Sequence, residues 1–235
     1  MKTSRKRGLG RRCMLACAMA CLAIQAWAAP VEVTVPATAS IYLAGETVSP
    51  SPDSGTLAPG VSLGANGGAL LRFSSVTGEI SLGGDFRGAD GRVPGNTQIG
   101  PQGGLSGLID TQRYFFLAGV FLGPDAPLPP APAALDFSSN HDFASLAPVL
   151  AQVFFIGDGR TAGGDVQDFV VPAGATRLFL GFIDQYEVGL PPGSYIDNAG
   201  ALRASFDVAA VPEPATWLLL GGVLPLVVAR RRRTA

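Results

Sequence analysis

The stretch Ala69-Leu70-Leu71-Arg72-Phe73-Ser74-Ser75-Val76-Thr77-Gly78-Glu79-Ile80-Ser81-Leu82 decides the fold class. Apolar and polar side chains alternate over Ala69 to Phe73 and again over Val76 to Leu82, the period of a strand with one buried face. The same character recurs at Val31 to Val35 upstream, and at Phe115 to Leu122, Gln152 to Ile156, Asp168 to Val171, Arg177 to Ile183 and Ala201 to Val208 downstream. Gly, Pro and Asp punctuate nearly every gap, and no long apolar repeat of period 3.6 appears. This pattern predicts an all-β chain folded as a single antiparallel β-sandwich. Phe73, Phe115, Phe116, Phe154, Phe155, Phe179 and Phe182 are expected to fill the space between two sheets. The proline-rich loop from Gly123 to Pro132 reads as a stiff excursion rather than a domain linker, because strand-like sequence of the same character resumes on both sides.

With 235 residues, 47% of them hydrophobic and 15% charged, the chain is large enough for one domain with a real core. Its 31 Gly and 19 Pro have no three-residue period, which excludes collagen and argues against a mostly helical protein. The net charge of −1 hides a strong asymmetry. Six of the 17 basic residues lie in residues 1–12 and four more are Arg230, Arg231, Arg232 and Arg233. Between Glu32 and Asp207 seven basic residues face seventeen acidic ones, a net charge of −10 and the wrong sign for clamping phosphate backbones. Nucleic acid is not an expected partner. All three cysteines, Cys13, Cys17 and Cys21, fall in the first 21 residues, so a chain that loses this segment has no thiol for disulfides, zinc or nucleophilic catalysis.

Both ends read as addresses. Lys2, Arg5, Lys6, Arg7, Arg11 and Arg12 precede an apolar run from Cys13 to Ile24, and Ala26-Trp27-Ala28 supplies a small-x-small site for signal peptidase. The expected organisation is a signal peptide over residues 1–28, a sandwich domain over 29–210 and a C-terminal signal over 211–235. The last contains Val211-Pro212-Glu213-Pro214, an apolar stretch from Ala215 to Ala229 and the arginine cluster Arg230 to Arg233, a basic stop that stays on the cytoplasmic side. Fifteen residues of helix span about 22 Å, short of a hydrocarbon core, which suits a transient inner-membrane anchor better than a permanent one. The triplet, hydrophobic helix and arginine cluster at the extreme C-terminus resemble the PEP-CTERM sorting signal. That resemblance implies export, membrane retention and processing near Pro212, Glu213 and Pro214 by an exosortase, followed by residence at the cell surface or outside the cell.

Catalytic chemistry is sparsely represented. His141 is the only histidine and sits in Ser138-Ser139-Asn140-His141-Asp142, a turn-like stretch with no nucleophile elbow, so it is expected on an exposed turn. The loop Ile156 to Asp165 lacks the alternating oxygens and closing glutamate of an EF-hand and reads as a turn-rich hairpin. Asp85 to Arg92 reads as a loop with local Asp–Arg pairing. No motif pairs carboxylates for glycoside hydrolysis, and no enzyme activity is expected. Abundant instead are the oxygen donors of a hard cation. Asp184, leaving one strand, and the Asp197-Asn198-Ala199-Gly200 turn entering the next can meet at one end of a sandwich, or merely cap a hairpin.

The order Pro-x-Gly-Ala-Thr-x-Leu-x-Leu-Gly-x-x-Asp from Pro172 to Asp184, then Pro-Gly-x-Tyr-x-Asp-Asn-x-Gly from Pro192 to Gly200, resembles the C-terminal hairpin of calcium-dependent galactophilic lectins of bacteria. The resemblance implies a jelly-roll-like, galactose-binding-like sandwich. It further implies calcium held by the side chains of Asp184, Asp197 and Asn198 and the carbonyl of Ser194. A fifth ligand, the carbonyl of Leu82, is implied by the match of Gly78-Glu79-Ile80-Ser81-Leu82-Gly83 to a Gly-x-x-Ser-x-Gly strand end. The expected function is an exported binding module for calcium and for a glycan such as extracellular polysaccharide. The alternative is a structural or adhesive matrix protein in which calcium only locks loops together.

Overall fold

The computed structural model describes residues 30–64, 66–185 and 191–209. The expected signal peptide and the sorting signal, with Pro212, Glu213, Pro214 and Arg230 to Arg233, lie outside the described residues. Fifteen strands follow in chain order. The first six are β1 (Val31–Pro36), β2 (Ala39–Ser40), β3 (Thr56–Leu57), β4 (Gly60–Ser62), β5 (Leu70–Leu82) and β6 (Asp85–Arg87). Next come β7 (Thr97–Ile99), β8 (Leu108–Asp110), β9 (Leu117–Leu122), β10 (Leu135–Asp136) and β11 (Ser145–Leu146). The last four are β12 (Val153–Phe155), β13 (Asp168–Val170), β14 (Arg177–Phe182) and β15 (Asn198–Ala209). Two single 3₁₀ turns, Ile41–Leu43 and Pro52–Ser54, are the only helical pieces among the described residues. No described helix is long and apolar enough to cross a membrane.

The chain is all-β with open, mixed sheets. One six-stranded sheet runs β1-β15-β5-β13-β11 with β6 beside β5. A second runs β12-β9-β14-β2-β3 with β4 beside β14, and a three-stranded sheet runs β10-β8-β7. The expectation of purely antiparallel pairing needs correction. The long pairings are antiparallel, but β2 pairs in parallel with β3 and β14, β10 with β8, and β11 with β13. Each parallel contact covers no more than two residue pairs. Parallel neighbours need a long crossover, and the long loops of this Gly- and Pro-rich chain supply it where a tight hairpin would have dictated antiparallel pairing.

The two runs read as separate strands at Ala69–Phe73 and Val76–Leu82 form one strand, β5. Its pairing with β15 shifts between Ser205 and Phe206, so that Ser75 faces Ser205, Phe73 faces Phe206, and Ser74 is the extra residue of a β-bulge. An inserted residue reverses the parity of the pleat. Leu71 and Phe73 point into the core before the bulge, and Ile80 does so after it. The alternation of the sequence therefore breaks at Ser74-Ser75 while the backbone ladder does not.

The two larger sheets share one core. A file of rings crosses it: Phe73 meets Phe169 edge-on at 5.8 Å, Phe169 lies 5.4 Å from Phe154, and Phe154 stacks on Phe121 at 5.1 Å. All seven phenylalanines expected between the sheets are buried. Strand β9 is buried at all six positions, which explains why Leu117 to Leu122 reads as a nearly continuous apolar run with no polar face. Phe169 contacts Phe73, Phe143 and Phe154 and has no exposed surface. Phe169→Ala is expected to lower unfolding free energy by about 3–5 kcal/mol, read as a lower denaturant midpoint at unchanged slope.

Candidate functional site

One end of the β5/β15 pair builds the site. Asn198, the first residue of β15, lies directly across from Leu82, the last residue of β5. Its side chain shares the inward face with Leu202, Ala204 and Phe206, so it is buried. Gly200 follows in a left-handed conformation, φ +90°, and a Cβ there would stand 2.2 Å from the Glu79 carbonyl oxygen. This is why the Asp-Asn-x-Gly turn ends in glycine.

Asp184 reaches the same place from the second sheet, two residues beyond β14. Tyr195 holds it there. Its buried hydroxyl donates to the Phe182 carbonyl at 2.9 Å and accepts from the Asp184 backbone N–H at 3.2 Å. The Gly193 N–H donates to the Asp184 carbonyl at 2.9 Å, and Gln185 bridges to Pro192. The chain between Asp184 and Ser194 is thus pinched at its base, and its length does not separate the two residues. Leu82, Asp184, Ser194 and Asp197 line one cleft of about 720 Å³, and Asn198 lies beneath, its amide nitrogen 2.9 Å from Asp184 Oδ2. The five residues singled out in the sequence come together.

The electrostatics of the cleft are those of an unneutralised acidic site. Asp184 is only 3% exposed. Burial pushes its carboxyl up to about 6, Asp197 adds to the shift by repulsion, and the hydrogen bond from Asn198 opposes it. Among the described residues no Lys, Arg or His lines the cleft, although Arg92 donates to the hydroxyl of the wall residue Tyr114 at 2.7 Å. The Asn198 Oδ1 atom is buried and has no hydrogen-bond partner among the described residues. An orphan amide oxygen costs free energy that a cation or a water recovers. Among the described residues no three of His, Cys, Asp and Glu converge into a group that could hold a metal ion. The oxygens gathered here, the Asp184 and Asp197 carboxylates and the Asn198 amide, are hard donors of the type a calcium-class cation takes.

Several contributors were not singled out in the sequence. Asn96 and Tyr114 form part of the cleft wall, and the Gln98 backbone N–H donates to the Gln185 side chain, tying strand β7 to the site. No local motif marks these residues. Tyr195 was visible only as the tyrosine of the Pro-Gly-x-Tyr pattern, without its clamping role. His141 is corrected: it is not on a freely exposed turn but pairs through Nε2 with the fully buried Asp110 Oδ2 at 2.7 Å and packs edge-on against Phe155. The loop 156–165 closes as the expected hairpin through the Arg160–Val166 bridge, and the Asp158 carboxylate caps its own turn by accepting from the Arg160 N–H. Asp85 pairs with Arg87 at 2.7 Å, although the three residues Asp85 to Arg87 are a strand beside β5 rather than a loop.

Comparison with protein families, with curated proteins and with solved structures finds no match for the chain.

Two outcomes follow from the site's physics. A carboxyl whose value is raised on folding favours the protonated native state, so its contribution to stability is full below pH 3.8 and is lost as pH rises through about 6. In the presence of chelator, thermal stability is expected to fall across this window by on the order of 2–3 kcal/mol. Asp184→Asn is expected to flatten that fall in a melting series between pH 4 and pH 7.5. Tyr195→Phe removes the donor to the Phe182 carbonyl and the acceptor of the Asp184 N–H, and is expected to cost about 1–3 kcal/mol in denaturant titration.

Proposed function

We propose that this chain is an exported binding module on a jelly-roll-like β-sandwich, which holds calcium at the Leu82, Asp184, Ser194, Asp197 and Asn198 cleft and uses it to recognise carbohydrate. The observation that carries this reading is the buried Asn198 Oδ1, unpartnered among the described residues, beside the Asp184 and Asp197 carboxylates in a cleft whose described lining has no basic side chain. Asp184, Asp197 and Asn198 would hold the ion through side-chain oxygens and Ser194 and Leu82 through carbonyls, with Tyr195 orienting Asp184. When bound, calcium would offset the Asp184–Asp197 repulsion and would accept sugar hydroxyls. The module performs no bond-breaking chemistry.

The route to the surface belongs to the same proposal. Signal peptidase removes residues 1–28, the apolar C-terminal segment retains the chain in the inner membrane, and an exosortase acts near Pro212, Glu213 and Pro214. The placement of the cleft supports such a route. The strand β15 runs from Asn198 at the cleft to Ala209, where the C-terminal segment begins, and Val31 at the start of β1 pairs with Phe206 near that far end. Twelve strand residues at about 3.3 Å each set the cleft about 36 Å from the point where the chain departs toward its anchor. An anchored molecule presents the cleft outward, toward extracellular polysaccharide. Metal-bridged sugar contacts in an open site are weak singly, so many copies on one surface provide avidity.

Isothermal calorimetry with calcium is the test. Micromolar binding with a raised melting temperature is expected, abolished by Asp184→Ala and weakened at least about tenfold by Asp197→Ala. Glycan-array signal that disappears in chelator is the companion result. Calcium binding without any glycan signal favours the matrix protein in which the ion only locks loops, and absence of calcium binding overturns the metal reading.

A further inference from the structure

A second cleft, of about 650 Å³, adjoins the first. Ser194 lines both. The two clefts also share their longer walls. Asn96, just before β7, lines the first and Gln102, just after β7, lines the second, and the segment between Asp184 and β15 contributes Gln185 to the first and Pro191 and Pro192 to the second. Contacts across this junction fix it. The Ser194 hydroxyl donates to Asp53 Oδ1 at 3.2 Å and the Tyr195 N–H donates to the Asp53 carbonyl at 2.9 Å, so the turn carrying Asp53 is bound to the chain that carries the proposed calcium donors. The two clefts meet at Ser194, which lines both.

The lining of the second cleft states what it takes. Tyr42 and the prolines offer flat apolar surface, and Asp53, Ser54 and Gln102 offer hydrogen-bonding groups between them. The Tyr42 hydroxyl is buried and, among the described residues, has no hydrogen-bond partner. Rings with polar edges beside carboxylate and amide groups match the alternating apolar faces and hydroxyls of a sugar ring. Among the described residues neither cleft has a Lys, Arg or His in its lining, and the second adds the Asp53 carboxylate. Two carboxylates in the first cleft balance a divalent ion, so Asp53 leaves the occupied clefts net negative and repels an acidic glycan.

We infer that the groove from the Asp184–Asn198 cleft across Ser194 to the Tyr42–Asp53–Gln102 cleft binds an uncharged oligosaccharide of at least two residues, one at the ion and the next in the second cleft. This rests on the calcium-dependent sugar reading for the first residue only; the second cleft is defined by its own side chains.

The test is calorimetry of the purified protein with neutral mono-, di- and trisaccharides of galactose, glucose and mannose and with oligogalacturonates, each in calcium and in chelator. Calcium titration alone is measured for every variant. Disaccharides of at least one series are expected to bind about tenfold more tightly than their monosaccharide, and oligogalacturonates not at all. Gln102→Trp and, from the opposite wall, Ser54→Trp each fill the second cleft. Both are expected to return the disaccharide to monosaccharide affinity with calcium binding unchanged. Calcium and monosaccharide binding with no gain for any longer neutral sugar overturns the inference and leaves the calcium site standing. Tighter binding of acidic than of neutral oligosaccharides also overturns it. Disaccharide binding that persists in chelator and is lost in both tryptophan variants supports the second cleft while overturning the calcium reading. Binding of neither calcium nor sugar overturns both.

Discussion

The antiparallel pairing of Leu70–Leu82 with Asn198–Ala209 is the constraint on which the rest of the molecule depends. It joins the first half of the domain to its last strand, buries Phe73 against Phe206 at 5.3 Å, and ends with Leu82 and Asn198 face to face. Such a ladder joins residues far apart in the chain, so its closure entropy must be recovered by packing. The phenylalanine file between the sheets provides that packing. The bulge at Ser74 lets one strand keep its apolar face inward on both sides of the irregularity, which a bulge-free strand of this sequence could not do.

The site is a consequence of where that ladder stops. A polar residue at the inward-facing first position of β15 is buried by the pleat and needs a partner, and Asn198 finds one in Asp184 from the facing sheet. The backbone of Asp184 is in turn held by Tyr195, a side chain with no exposed surface whose hydroxyl accepts from the Asp184 N–H. Burial of Asp184 beside Asp197 raises its carboxyl and weakens the fold at neutral pH, an unfavourable arrangement that the ladder and the Tyr195 clamp impose.

Much of this was legible in residue order because it is local. Period-two alternation marked most of the long strands, and the Asp-Asn-x-Gly turn and the isolated Asp184 named the principal oxygen donors. The short strands β2, β3, β4, β7, β8, β10 and β11 were not legible, since two or three residues carry no periodicity and owe their conformation to the neighbour they lie against. His141 was read as exposed because its neighbours are turn formers; Asp110, thirty-one positions earlier, supplies the partner that draws it in. Asn96, Gln102 and Tyr42 carry no motif and meet the site only through the folding of separate loops.

What the sequence by itself determined is the β class of the fold and which polar residues, Asp184, Asp197 and Asn198, gather at one end of it, because alternation and turn chemistry act over a few residues at a time. What only the tertiary structure decided is the mixed pairing of the sheets, the clamp of Tyr195 on Asp184, the orphaned Asn198 and Tyr42 oxygens, and the junction of two clefts at Ser194. These depend on which distant segments share a wall, and that follows from packing rather than from neighbouring residues.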